Sequence, residues 1–118
     1  MELSNLDPLT IILMFNGLLF YILGWIQVIF PPKKINPLYG YRTKRSMRNI
    51  ATWKFAQLYS SKKMRDKGLY FLLFCIAAYF LELDATLGIW IGILISIVLP
   101  ILLMIEVERA LKKNFPKV

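Results

Sequence analysis

Apolar positions along the chain gather into three uncharged runs, separated by one long polar stretch and one short one. The first run extends from Leu9 to Phe30, twenty-two residues closed by Pro31, Pro32, Lys33 and Lys34. At 1.5 Å per residue, about twenty residues of helix match a hydrocarbon core of roughly 30 Å. Pro31 and Pro32 stop that helix, because each lacks an N–H and drives the residue before it out of helical geometry. The last run, Leu87 to Ile105, has nineteen residues and also reads as a span. The middle run is shorter: Gly68 to Leu81 gives fourteen residues before Glu82. At that length a buried core helix or a re-entrant segment competes with a span. Lys67 at one end, and Glu82 and Asp84 at the other, suit a span whose ends lie in the headgroup layers.

Charge settles how many spans to expect. Residues 1–8 carry −2, residues 33–67 hold eleven Lys/Arg against one Asp, residues 82–86 carry −2, and residues 106–118 carry +2. Basic residues collect on the cytoplasmic side of short loops. Three spans put both basic segments on one face and both acidic segments on the other, whereas two spans would split the basic segments. The chain therefore reads as a single all-α integral membrane module, residues 1–118, with spans at about 9–30, 68–84 and 87–105. The basic cytoplasmic loop and helix take residues 33–67, the N-terminus lies outside and the C-terminus is cytoplasmic. The first run lacks a basic lead-in and a small-residue cleavage pattern, so a span is the better reading than a signal peptide.

Composition narrows the chemistry. Of 118 residues, 58% are hydrophobic and only 19% charged, against about a quarter charged in soluble domains. The chain has no His and a single Cys, Cys75. Ser-His-Asp and Cys-His triads, an intramolecular disulfide and the usual zinc clusters are thereby excluded. The net charge of +8 would by itself suggest nucleic acid, but the basic run is tethered between spans and carries no nucleic-acid motif. No metal, cofactor or enzymatic activity is expected. Phosphate chemistry at the loop would want a base or metal ligand near Arg42, and the nearest acidic residue along the loop is Asp66.

Helix faces add candidate contacts. Asn16, Gly17, Gly24 and Gln27 share one side of the first span, and amides are costly in lipid unless partnered. That face points at another helix, or at a ligand or peptide. Gly88, Gly92, Ser96 and Pro100 repeat every four residues in the third span, a spacing that permits close backbone approach. It suits packing within the chain or a homo-oligomer seam. Pro100 should leave the carbonyl of Ser96 without its helical partner, with the Ser96 hydroxyl as one replacement. Cys75 reads as a small buried hydrophobe. Glu82 and Asp84, with Asp7, form an acidic rim at helix ends.

The loop from Pro32 to Lys67 is the most informative segment. Asn36-Pro37 signals a turn, Gly40 permits positive φ, and Asn49 suits the N-cap of a helix running to about Lys63 or beyond. On that helix Ile50, Trp53 and Gln57 form a stripe, which reads as an amphipathic element at the inner membrane surface. Arg42, Thr43 and Ser46 after a Gly-containing turn suit an anion, with lipid phosphate or an acidic peptide as the ligand. The alternative is that the charge serves only topology and lipid anchoring. Arg42 could equally hold an internal network, and the grouping of Asn36, Gly40 and Thr43 puts that structural role slightly ahead.

The residues Asn36, Gly40, Arg42, Thr43, Ser46, Asn49 and Trp53, with one span before and two after, resemble the signature of the SdpI-like family of bacterial membrane proteins. The resemblance implies a short, single-module member of that family in the bacterial cytoplasmic membrane. It further implies immunity to a secreted antimicrobial peptide toxin, with signalling through a cytoplasmic regulator. A lipid- or cell-envelope-binding auxiliary protein, partnered by anionic membrane lipids, is the second reading. A small transporter ranks third, since it would want a carboxylate in mid-span.

Overall fold

The structure is a computed structural model and describes residues 6–116. It contains three helices: α1 (Pro8–Ile29), α2 (Ile50–Leu81) and α3 (Ala85–Asn114), with no strand among the described residues. Each helix start is encoded locally. Asp7 caps α1 by accepting from the Thr10 N–H at 2.8 Å, with Pro8 in the first turn, where its missing N–H costs nothing. Asn49 and Thr52 form a reciprocal capping box on α2 at 2.9 and 3.1 Å. Asp84 caps α3 through the Leu87 N–H at 3.3 Å. The carboxylates Asp7 and Asp84 of the acidic rim are thus both helix caps. Glu2 lies outside the described residues.

α2 differs from the sequence expectation. An interfacial helix and a separate second span were anticipated, but residues 50–81 form one continuous helix of 32 residues. No proline or turn pair interrupts Lys62 to Lys67, and Gly68 alone does not break a helix held by its neighbours. The helix ends at Leu81, before the expected limit at 84, because Glu82 turns into the left-handed region at φ 50°. α3 continues to Asn114, nine residues beyond the apolar run.

Helix lengths then set the shape. At 1.5 Å per residue α2 is about 48 Å long and α3 about 45 Å, against about 33 Å for α1, and the molecule measures 50 × 24 × 21 Å. α1 and α2 are antiparallel and make the most extensive helix pair. The backbone of Gly68 sits against Tyr21 and the carbonyl of Gly17, so closely that a Cβ there would strike main-chain atoms. α3 runs parallel to α1, with Gly88 against Leu9, Gly92 against Ile12, and Ser96 bonded to Asn16. At the end where α1 begins, Leu9, Leu13, Phe71 and Ala78 form one core. The longer helices overhang the far end of α1, where Ala56, Leu103, Val107 and Leu111 form a second.

Two helices, α1 and α3, are long and apolar enough to cross a membrane. Only 28% and 17% of their apolar windows are buried, so they are not the enclosed core helices of a soluble domain. Side chains such as Phe15, Ile22, Trp90 and Leu94 face outward instead. Such a surface needs lipid to cover it, and the chain is a membrane protein.

Candidate functional site

The overhanging ends of α2 and α3 carry the loop of residues 31–49, and that loop is pinned to α2 by buried side chains. Trp53 is fully buried and its indole Nε1–H donates to the Pro32 carbonyl at 2.7 Å. This bond ties the exit of α1 to the first turn of α2. Gln57, also buried, grips the next stretch with both ends of its amide. Its Oε1 accepts from the Tyr41 N–H and its Nε2 donates to the Tyr41 carbonyl, each at 2.7 Å. The loop approaches this closely because residue 40 is glycine at φ +101°, where a Cβ would collide with the Gln57 amide oxygen and with Pro32.

The remaining motif residues hold the loop's own backbone. The Asn36 side chain accepts from the N–H groups of Leu38 and Tyr39 at 3.0 and 2.6 Å, and donates to the Lys34 carbonyl at 3.0 Å. The Tyr39 hydroxyl donates to the Phe30 carbonyl at 2.7 Å. Thr43 and Ser46 bond reciprocally: the Thr43 N–H donates to Ser46 Oγ at 2.8 Å and the Ser46 N–H to Thr43 Oγ1 at 3.1 Å. Ser46 Oγ also donates to the Thr43 carbonyl at 3.0 Å. The Thr52 hydroxyl contacts the Ser46 carbonyl at 3.1 Å, and so joins this turn to the α2 cap.

Arg42 stands apart. It is exposed, and among the described residues it makes no hydrogen bond or ion pair. The network-holding role anticipated for it falls instead to Trp53, Gln57, Ser46 and Thr52. The anion cradle of Arg42, Thr43 and Ser46 is likewise not assembled, since the two hydroxyls are engaged with loop backbone. Two of these, Gln57 and Thr52, lie outside the seven motif residues. The pair Asn49-x-x-Thr52 is a local signal for the capping box; nothing local marks Gln57 as a clamp on Tyr41.

Charge concentrates around this loop. Lys44, Arg45, Arg48, Lys112 and Glu108 line a cleft of about 420 Å³ between the loop and α3. One carboxylate oxygen of Glu108 is buried without a hydrogen-bond partner. Tyr41 sits nearby, its hydroxyl 3.4 Å from the Met104 carbonyl. Burial, reinforced by the negative Glu108, pushes the Tyr41 phenol far above its usual range, partly opposed by the Thr43 side chain. Tyr41 therefore remains a neutral donor at physiological pH. Below the loop, Lys67 on α2 pairs with Glu106 on α3 at 3.1 Å. Among the described residues no group of three potential ligands is placed to hold a metal ion.

The intramembrane candidates occupy the helix interfaces. Asn16 Nδ2 donates to the Ile12 carbonyl and to Ser96 Oγ, both at 2.9 Å. The Ser96 hydroxyl donates at 2.7 Å to the Gly92 carbonyl, not to its own carbonyl left open by Pro100. Gly17 and Gly24 face α2 at Leu72 and Arg65, while Gly88 and Gly92 face α1. Gln27 is half-buried and has no hydrogen-bond partner among the described residues. The face predicted for α1 thus divides between two neighbours, Asn16 going to α3 and the glycines to α2. Cys75 is partly buried and its thiol lies 3.4 Å from the Thr10 carbonyl.

Comparison with known proteins adds the following. A family model described as the SdpI/YfhL protein family matches residues 33–105, which take in nearly all of the pinned loop, all of α2 and most of α3. The protein named "Uncharacterized protein YfhL" from Bacillus subtilis (strain 168) is 46% identical over 54 residues. That alignment covers 46% of this chain and 49% of YfhL, so it spans about half the length of that relative. No solved structure matches.

Proposed function

The chain belongs to the SdpI/YfhL family, and from that premise we propose that it is a non-enzymatic immunity protein of the bacterial cytoplasmic membrane. It protects the cell from an antimicrobial peptide toxin. The observation that carries this reading is the family match over residues 33–105, together with the disposition of the motif inside it. Asn36, Gly40, Thr43, Ser46, Asn49 and Trp53 build a rigid loop that leaves the guanidinium of Arg42 free. A planar, permanently charged fork held on a pinned loop suits recognition of a carboxylate on a cytoplasmic regulator.

In this proposal the chain crosses the membrane three times, with α2 supplying the middle span through its stretch 68–81. The basic overhang faces the cytoplasm, because basic residues are retained on that side. The toxin meets the protein from the outer or intramembrane face, and the overhang reports occupancy to the cytoplasm.

The test is survival of a sensitive bacterium that expresses the protein and is challenged with a panel of secreted antimicrobial peptides. Wild type should protect against at least one peptide, and R42A should not, at equal membrane abundance. Protection that is absent across the panel, or indifferent to R42A, would overturn the reading.

A further inference from the structure

A second groove, between the start of the loop and α2, does not include Arg42. Pro31 and Pro32 form one wall, and Ile50 and Leu58, on one face of α2, form the other; the space measures about 580 Å³. Lys33, Lys34 and Lys54 line the same groove. Ile50, Lys54 and Leu58 are spaced by four residues and so lie in one row on the helix. All three lysines are exposed, and among the described residues none has an acidic partner within ion-pair distance. Ile50 and Leu58 are each about half exposed, as strongly as the lipid-facing residues of α1.

Two features make this more than a patch of surface. The proline wall is fixed, because the Pro32 carbonyl is held by the buried Trp53 indole and the two prolines cannot swing freely. The groove also continues the apolar surface of α1, since the exposed Ile29 at its end and the exposed capping residue Phe30 immediately precede Pro31. It therefore opens where an apolar, lipid-facing helix surface gives way to cations. A fitting occupant has an apolar chain joined to a negative head.

We infer that this groove is a binding site for an anionic phospholipid, with acyl chain against Pro31 and Leu58 and headgroup phosphate among Lys33, Lys34 and Lys54. This goes beyond the immunity reading and does not depend on it. The lipid would fasten the start of α2 to the bilayer next to the end of α1.

Native mass spectrometry of the full-length protein, released from nanodiscs holding equal amounts of phosphatidylglycerol and phosphatidylcholine, tests this directly. Wild type should retain phosphatidylglycerol preferentially. A lysine at a bilayer surface contributes about fivefold in binding, so K33Q/K34Q/K54Q should lose roughly a hundredfold and with it the preference. K44Q/R45Q/R48Q removes the same charge from the cleft between the loop and α3 and should keep the preference. L58E should lose both lipids from the site while its circular dichroism stays helical. The inference is overturned if wild type retains both lipids equally, or if the two triple variants lose the preference alike, which is bulk attraction. It is also overturned if inorganic phosphate displaces the lipid at matched concentration, which is a phosphate site. Retention of a second copy of the chain that L58E abolishes would make the groove a self-interface and overturn it too.

Discussion

Replacing Trp53 separates the pinned loop from the helices that carry it. The side chain is fully buried beside the start of α2, and its Nε1–H is bonded to the Pro32 carbonyl at 2.7 Å. Truncation to alanine removes the packing of a large aromatic, worth about 3–5 kcal/mol. It also strands the carbonyl, at about 1–3 kcal/mol for a buried acceptor left unpaired. The combined loss, about 4–8 kcal/mol, is comparable to the whole stability of an ordinary domain. W53F keeps most of the packing and should cost the carbonyl term alone. Because the loss falls at the overhang, the expected result is local: in hydrogen exchange on protein in detergent, W53A should lose protection across residues 38–60. Peptides covering Leu9–Phe20 and Phe71–Ala78, which share the other core, should remain protected. W53F should lie between. Unchanged protection at residues 38–60 in W53A would refute the claim that this indole holds the loop.

Four further outcomes follow from the same geometry. Q57L keeps the volume but leaves both Tyr41 backbone groups without their 2.7 Å partners; it should destabilise the overhang by about 2–4 kcal/mol in chemical denaturation. R42A should unfold within about 0.5 kcal/mol of wild type, as an exposed residue without partners does, even where it abolishes protection in cells. A double-mutant cycle of N16L and S96A should give a coupling of about 0.6 kcal/mol, and no more than about 1.7, the range for side-chain bonds between membrane helices. E82G should raise stability by up to about 1 kcal/mol, since a non-glycine residue at φ 50° carries roughly 1–2 kcal/mol of strain and glycine returns part of it through chain entropy. Equilibrium unfolding in one detergent reads all four on a common scale.

The apolar runs and the Asn49 cap were legible because their signals are local, whereas Asp7 and Asp84 read only as an acidic rim. Twenty-two uncharged residues before a Pro-Pro pair mark α1 without reference to anything else, and Asn49 sits one turn before the N–H it satisfies. The small residues of the third span were also visible as a periodic row, although the row itself does not name its neighbour. What could not be read was which distant groups meet. Gln57 is one amide on a helix, and only the fold brings the Tyr41 backbone to it across sixteen residues. Arg42 looked structural because it lies among residues that are. Nothing local distinguishes a guanidinium turned inward from one turned to solvent. The continuity of α2 was obscured for another reason: polarity changes abruptly between Lys67 and Gly68, and a change in environment reads like a boundary even where the backbone hydrogen bonds run on unbroken.

That unbroken helix changes what the motif can do. An interfacial helix lying flat, joined to the second span by a bend, would move independently of it. In a single helix of 32 residues the turn that holds Trp53 and Gln57 is rigidly continuous with the turns that pack Gly68 and Phe71 against α1. A shift of α2 against α1 must carry the loop with it, since Trp53 ties α2 to the Pro32 carbonyl and Gln57 ties it to Tyr41. The motif then divides by task. Asn36, Thr43, Ser46, Asn49 and Trp53 direct their polar atoms to backbone, and Gly40 admits the Gln57 clamp. Among the polar motif residues Arg42 alone makes no such bond, and in the proposed function its charge is the part that meets a partner. Substitutions of the first group should damage function through the fold, and a second-site change that restabilises the loop should rescue them. If the proposed function holds, no stabilising change should rescue R42A, because the substitution removes the contact itself.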